Sequence, residues 1–214
     1  MGLIRTATVG IAAANAAGIA ANATPAAGAA FTLTASPVVL DQARRVIITS
    51  AGNDSTRTFT ITGTNRSGNI ISETITGGNI AAVSTVNDFK TVSAVVNNGP
   101  GAVAATGATV GTSGVASTQW FNIDGNADPI SISVDVIVSG TINYSVEYTY
   151  DDPNVVTAPT VWTIAGGSLT SKTANADSQA NPFNFPIWGL RLTQNSATPP
   201  ASATITVQQA GPYH

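Results

Sequence analysis

The stretch STRTFTITGTNRSGNIISETITGG, residues 55–78, constrains the fold more than any other part of the chain. From Arg57 to Thr62, Phe59 and Ile61 share one parity and Thr58, Thr60 and Thr62 the other, the two-residue period of a half-buried strand. After a turn cluster from Gly63 to Asn69, Ile71, Glu73 and Ile75 alternate with Ser72, Thr74 and Thr76. The pattern predicts an antiparallel hairpin with Phe59 and Ile61 on its buried face.

Similar signals recur along the chain. FTLTAS, running to Pro37, and RRVIITS, ending at AGND, read as strands. The run IAAVSTVNDFKTVSAVVNNGPG fits either a strand pair or a helical turn followed by a strand, and strands are the expectation. AATGATVGT (104–112) closes a first unit, and GTSGVAST (111–118) reads as a linker. Ile130, Ile132, Val134, Val136 and Val138 then alternate with Ser131, Ser133, Asp135 and Ile137. Ser139-Gly140 intervenes before Ile142, Tyr144, Val146, Tyr148 and Tyr150, which predicts two strands joined by a tight turn. A Pro-containing loop leads to VWTIAGG, and IWGLRLTQ and ATITVQQ read as the last strands, separated by an NSATPP turn.

No segment carries a sustained 3.6-residue apolar period, so the expected class is all-β: two antiparallel sandwich-like, jelly-roll-type units, residues 31–115 and 118–214. The preceding Ala/Gly/Asn-rich residues 1–30 are expected to form an extended or partly helical N-terminal arm, lying on another subunit or folding as a short helix. With Asn15 and Asn22 interrupting it, this tract is too weakly apolar for a signal-peptide core or a membrane span.

At 214 residues with 43% hydrophobic content, the chain can bury real cores. Only 9% of its residues are charged, against about 25% in ordinary soluble proteins, which points to a surface covered by neighbours. A formal net charge of −3 offers no basic face for nucleic acid. The absence of cysteine removes disulfides, thiolate metal sites and cysteine nucleophiles.

Candidate chemistry is sparse, and no catalytic, cofactor-binding or metal residues are expected. His214, the one histidine, is the last residue and lacks the fixed partner a general base needs. GPGAVAATGATVGTSG has no lysine to serve a phosphate loop. Asp124, Asn126, Asp128 and Asp135 imitate calcium-loop spacing, but Pro129 stands where that loop requires glycine, so turn closure is the better reading. Glu147, Asp151 and Asp152 could pair as glycosidase carboxylates, but the parity of Glu147 sets it opposite Tyr148 and Tyr150, and a solvated rim is expected. Tyr144, Tyr148, Tyr150, Trp162 and Trp188 could stack sugars, and a core role is the leading reading. Sequons at Asn22, Asn53, Asn65 and Asn143 are chance products of a Ser/Thr-rich chain.

The series GNDSTRTFTITGTNRSGNIISETITG, NDFKTVSAVV and GATVGTSG, followed by VEYTYDDP, the Trp162 segment, FPIWGLRLTQ and TITVQQAG, resembles virion structural proteins of tailed bacteriophages over roughly residues 50–211. The resemblance implies a virion component and supplies no catalytic residues. On it rests the expectation of a non-enzymatic capsid decoration or cement protein, made in the host bacterial cytoplasm and carried in the virion. Its expected partners are the major capsid protein or other virion proteins and further copies of itself, as a trimer, with neither nucleic acid nor membrane. The alternative is a neck or tail fibre protein binding a host-surface glycan.

Overall fold

The computed structural model describes residues 3–124, 131–156, 159–164, 169–177, 183 and 186–210. Among them are twelve strands and no helix. In chain order these are β1 (Leu3–Val9), β2 (Asn15–Ala23), β3 (Val38–Ser50), β4 (Thr58–Thr64), β5 (Ile70–Thr76), β6 (Ala82–Asn97), β7 (Ala108–Ser117), β8 (Phe121–Asn122), β9 (Ile132–Thr149), β10 (Trp162–Thr163), β11 (Ala176–Asp177) and β12 (Gly189–Gln209). The pairings are antiparallel. Two compact units divide the chain: a continuous one, Ala13–Gly114, and a split one, Met1–Ala12 with Val115–His214.

In the continuous unit, β4 and β5 form the hairpin that the alternation predicts, with Phe59 opposite Ile75 and Thr60 opposite Thr74. Phe59 and Ile61 are fully buried, among Phe31, Val46, Ile48, Phe89, Val92 and Val95. On the other face the hydroxyls pair across strands, Thr60 with Thr74 at 2.7 Å and Thr62 with Ser72 at 3.3 Å. The 80–101 run contains one sixteen-residue strand, β6, in place of a strand pair. FTLTAS forms no strand. Phe31 drops into the core, its N–H bonded to Val95 O, while Thr34 N–H turns instead to Ile19 O. The expected linker at 111–118 lies largely in β7, because its Thr, Val and Ser residues pair as readily as any others here.

In the split unit, β9 and β12 run side by side from Gly189↔Thr149 to Gln209↔Ile132. Both turns predicted within these segments are absent. Ser139-Gly140 lies inside β9 and NSATPP inside β12, opposite one another, where the register shifts between Thr198 and Ser202. The physical reason is that turn residues also suit a bulge. Gly140 adopts φ 78°, and Pro199 and Pro200, having no N–H to give, sit where the ladder is already interrupted. The even-numbered residues of β9 keep one face throughout, so Ile132, Val134, Val136, Ile142, Tyr144 and Val146 fill the core with Leu190, Leu192, Ile205 and Val207.

The N-terminal tract is strand rather than arm or helix. Leu3–Val9 pairs with β12 from Leu3↔Gln209 to Val9↔Ala203, and Val9 and Ile11 are buried in the split unit's core. LIRTATV places β-branched Ile4, Thr6 and Thr8 on one parity and ends in Val9, a strand signal hidden by the alanines that follow. Asn15–Ala23 pairs with β7, burying Ile19 and Ala20 in the continuous unit.

A Cβ at Gly140 would meet Pro200 O at 2.7 Å, in a backbone conformation that already costs an L-residue about 1–2 kcal/mol. Gly140→Ala is therefore expected to lower the unfolding free energy by at least that amount in urea titration. An unchanged midpoint would remove the bulge as described.

Candidate functional site: an exposed aromatic cluster beside a buried ion pair

The C-terminal half of β9 and the N-terminal half of β12 bring together the residues that the sequence singles out. Glu147 and Arg191 are cross-strand partners, and Arg191 Nε donates to Glu147 Oε2 at 2.8 Å. Thr193 Oγ1 donates to the same oxygen at 2.7 Å and lies 2.9 Å from Ser117 Oγ. The guanidinium stacks over Trp120, 4.5 Å from the ring centroid. Glu147 is thus no solvated rim. Parity places it away from the core as expected, but this face too is covered, with Ser145, Thr149 and Thr193 all buried. A buried carboxylate held by Arg191 and Thr193 orders the two strands.

The other two carboxylates shape the loop after β9. Asp151 Oδ2 accepts from Thr160 N–H at 2.6 Å, and Asp152 Oδ1 accepts from Asn154 N–H and Nδ2 at 2.9 Å each. Asn122 Nδ2 in turn donates to Asn154 Oδ1 at 3.2 Å.

The five aromatic residues divide. Tyr144 is core, its hydroxyl donating to Ala174 O at 2.8 Å. Burial pushes its phenol up to about 12, and the Asp135 carboxylate adds to the shift. Tyr148 packs edge-on against Phe183 and Tyr150, with centroids 5.9 and 5.5 Å away. Burial raises its phenol too, helped by the hydrogen bond and charge of Tyr150. Tyr150, Trp162 and Trp188 are not core residues: they are 47%, 50% and 53% exposed. Trp162 pairs with Tyr148 on one side of β9, its ring 6.3 Å from Tyr150, and Trp188 N–H bonds to Thr149 O on the other side. Val155 and Val156, in the loop after β9, are exposed as well. Strand parity places Tyr150 with Tyr144 and Tyr148, yet Tyr150 lies one residue past the end of β9, where the sheet no longer covers it.

Of the calcium-like set, Asn126, Asp128 and Pro129 lie outside the described residues, as does His214. Asp124 is clasped through its backbone by Gln209, which accepts from its N–H at 3.0 Å and donates to its carbonyl at 2.7 Å. Asp135 stands on β9, paired with Asp177 of β11. Among the described residues no three His, Cys, Asp or Glu side chains group as metal ligands. The sequon asparagines serve the backbone: Asn53 and Asn65 accept from Ser55 and Ser67 N–H in turns, and Asn22 donates to Thr106 O. Asn143 accepts from Asn195 Nδ2.

No protein-family model and no curated protein matches the chain. Among solved structures it aligns with the major capsid protein P2 from Bacteriophage PM2, at 12% identity over 98% of each chain. The TM-score is 0.21, well below that of a shared fold.

Removing one partner of a buried ion pair costs about 3–5 kcal/mol, whereas replacing both with apolar groups is often near neutral. Glu147→Ala is therefore expected to destabilise the chain by that amount, and the Glu147→Leu/Arg191→Met pair by far less, in denaturant titration. Equal losses would contradict a desolvated pair.

The Tyr144 phenol has a higher pKa folded than the value of about 10 in an unfolded chain. The folded state therefore binds the proton more tightly. That stability is present in full below about pH 10 and disappears as pH rises through about 12. Tyr144→Phe should cost about 1 kcal/mol at neutral pH and flatten the loss between those values. An undiminished loss would place it elsewhere.

Proposed function

We propose that the chain is a structural protein of a bacteriophage virion, a capsid decoration or cement protein that binds the head lattice and stabilises it. Its partners are then the major capsid protein or other virion proteins and further copies of itself. Its location is the particle, after synthesis in the host bacterial cytoplasm.

The observation that carries the reading is where the few charges go. Arg44, Arg57 and Arg191 are held in ion pairs within the chain. Glu73 accepts from Val86 and Asn87 N–H, and Lys90 donates to the carbonyls of Leu40 and Asp41. What faces outward on the sheets is mainly short and neutral: Thr6 and Thr8 on β1, Ser72, Thr74 and Thr76 on β5, Ser133 and Ser139 on β9. Such side chains lose little entropy on ordering, and no desolvated charge opposes a contact repeated over a lattice. The resemblance of the 50–211 motifs to phage virion proteins supports the same reading.

The exposed Tyr150, Trp162 and Trp188 favour a second reading, a neck or tail fibre protein whose split unit binds a host-surface glycan, since exposed rings stack on sugar faces.

Quantitative mass spectrometry of purified particles, joined to glycan-array binding, separates the two. The decoration reading predicts copy numbers comparable to those of the major capsid protein, and array binding no different in Trp162→Ala/Trp188→Ala. A few copies per particle, with glycan binding abolished in that double variant, would overturn it in favour of the fibre.

A further inference from the structure

Among the described residues, strand β5 ends its sheet, pairing with β4 and with no other strand. The hydrogen bonds flanking the hairpin show which of its residues face outward. Gly77 N–H donates to Arg57 O and Asn65 N–H to Asn69 O, both at 2.9 Å. These pairs continue the register of Phe59↔Ile75 and Ile61↔Glu73, so the odd-numbered residues of β5 exchange hydrogen bonds with β4. The N–H and C=O groups of Ile70, Ser72, Thr74 and Thr76 therefore point away from β4, at the free edge. Their side chains are exposed as well, Ile70 at 79%.

Soluble proteins block such an edge with lysine, proline, a bulge or an inward-pointing charge. The edge of β5 has no lysine or proline, and its seven residues pair with β4 without a register shift. Its one charge, Glu73, is already committed to Val86 and Asn87 N–H at 2.7 and 2.9 Å on β6. An antiparallel edge is also self-complementary: a two-fold axis brings the same outward groups of a second copy into place, donor to acceptor. The small faces of Ser72, Thr74 and Thr76 allow the backbones to approach.

We propose that β5 is a self-association edge, pairing antiparallel with β5 of a second copy so that the β4–β5 hairpins of two chains form one sheet. This deepens the homo-oligomer part of the proposed function by naming the contact, and it replaces the three-fold assembly expected from sequence with a two-fold one. The like-charged Glu73 side chains exclude the register that sets them opposite each other.

The test is the solution mass of the full chain by sedimentation equilibrium or light scattering. Thr74→Pro removes an outward N–H without touching the β4 ladder, which is where a strand tolerates proline. Thr74→Lys supplies the blocking charge and decides the question if the proline variant fails to fold by circular dichroism. The wild type is expected at twice the chain mass and the folded variants at the chain mass. The wild-type dimer should persist as salt rises from about 0.1 to about 1 M, which shortens the screening length from roughly 10 to roughly 3 Å. A dimer that survives in both folded variants, or one that dissociates in salt, would overturn the β5 contact but leave self-association standing. A wild type at the chain mass throughout would overturn both.

Discussion

The requirement that every buried peptide group find a hydrogen-bond partner governs this chain, because it has little else with which to order itself. It has no disulfide, few aromatic residues and few charges. In the split unit the requirement is met by two long strands, β9 and β12, and the elements around them attach to that ribbon: β1 and β8 to β12, β10 and β11 to β9. The core follows from the pairing, since β9 keeps the even-numbered residues from Ile132 to Val146 on one face through both register shifts, and β12 delivers Leu190, Leu192, Ile205 and Val207 to the same side.

Where alternation is strict and local, the fold was legible. Phe59 and Ile61 bury as their parity requires, and β5 returns antiparallel at the turn the Gly and Asn residues mark. The predicted breaks within β9 and β12 failed for a common reason. Ser-Gly and Asn-Ser-Ala-Thr-Pro-Pro are compatible with a turn and with a bulge, and only the partner strand decides between them. Local sequence does not contain the partner. The alanine-rich start failed similarly: Leu3–Val9 is a strand because Gln209 to Ala203 lies beside it.

The candidate site was half legible. Parity set Glu147 on the right face, but no alternation reports that this face is covered as well, and Arg191 and Thr193 are more than forty residues away in sequence. The aromatic residues show the converse. Tyr144 and Tyr150 share a parity, yet one is buried in the core and the other is half exposed, because Tyr150 stands beyond the last paired residue of β9. Internal use of the charges was hidden for the same reason. The composition shows that they are few, and the fold shows that several of them are spent on the backbone and on each other, leaving outward sheet faces rich in Thr and Ser among exposed apolar residues such as Ile4, Ile70 and Ile137.

Cysteine cross-linking can read the continuous β9–β12 ribbon, since the chain has no cysteine of its own. In the ribbon, Ile137 lies opposite Thr204. In a hairpin turning at Ser139-Gly140 it would lie opposite Ile142. Oxidation is predicted to close a disulfide in Ile137→Cys/Thr204→Cys and none in Ile137→Cys/Ile142→Cys, read by mass and by gel mobility. The reverse outcome would contradict the ribbon.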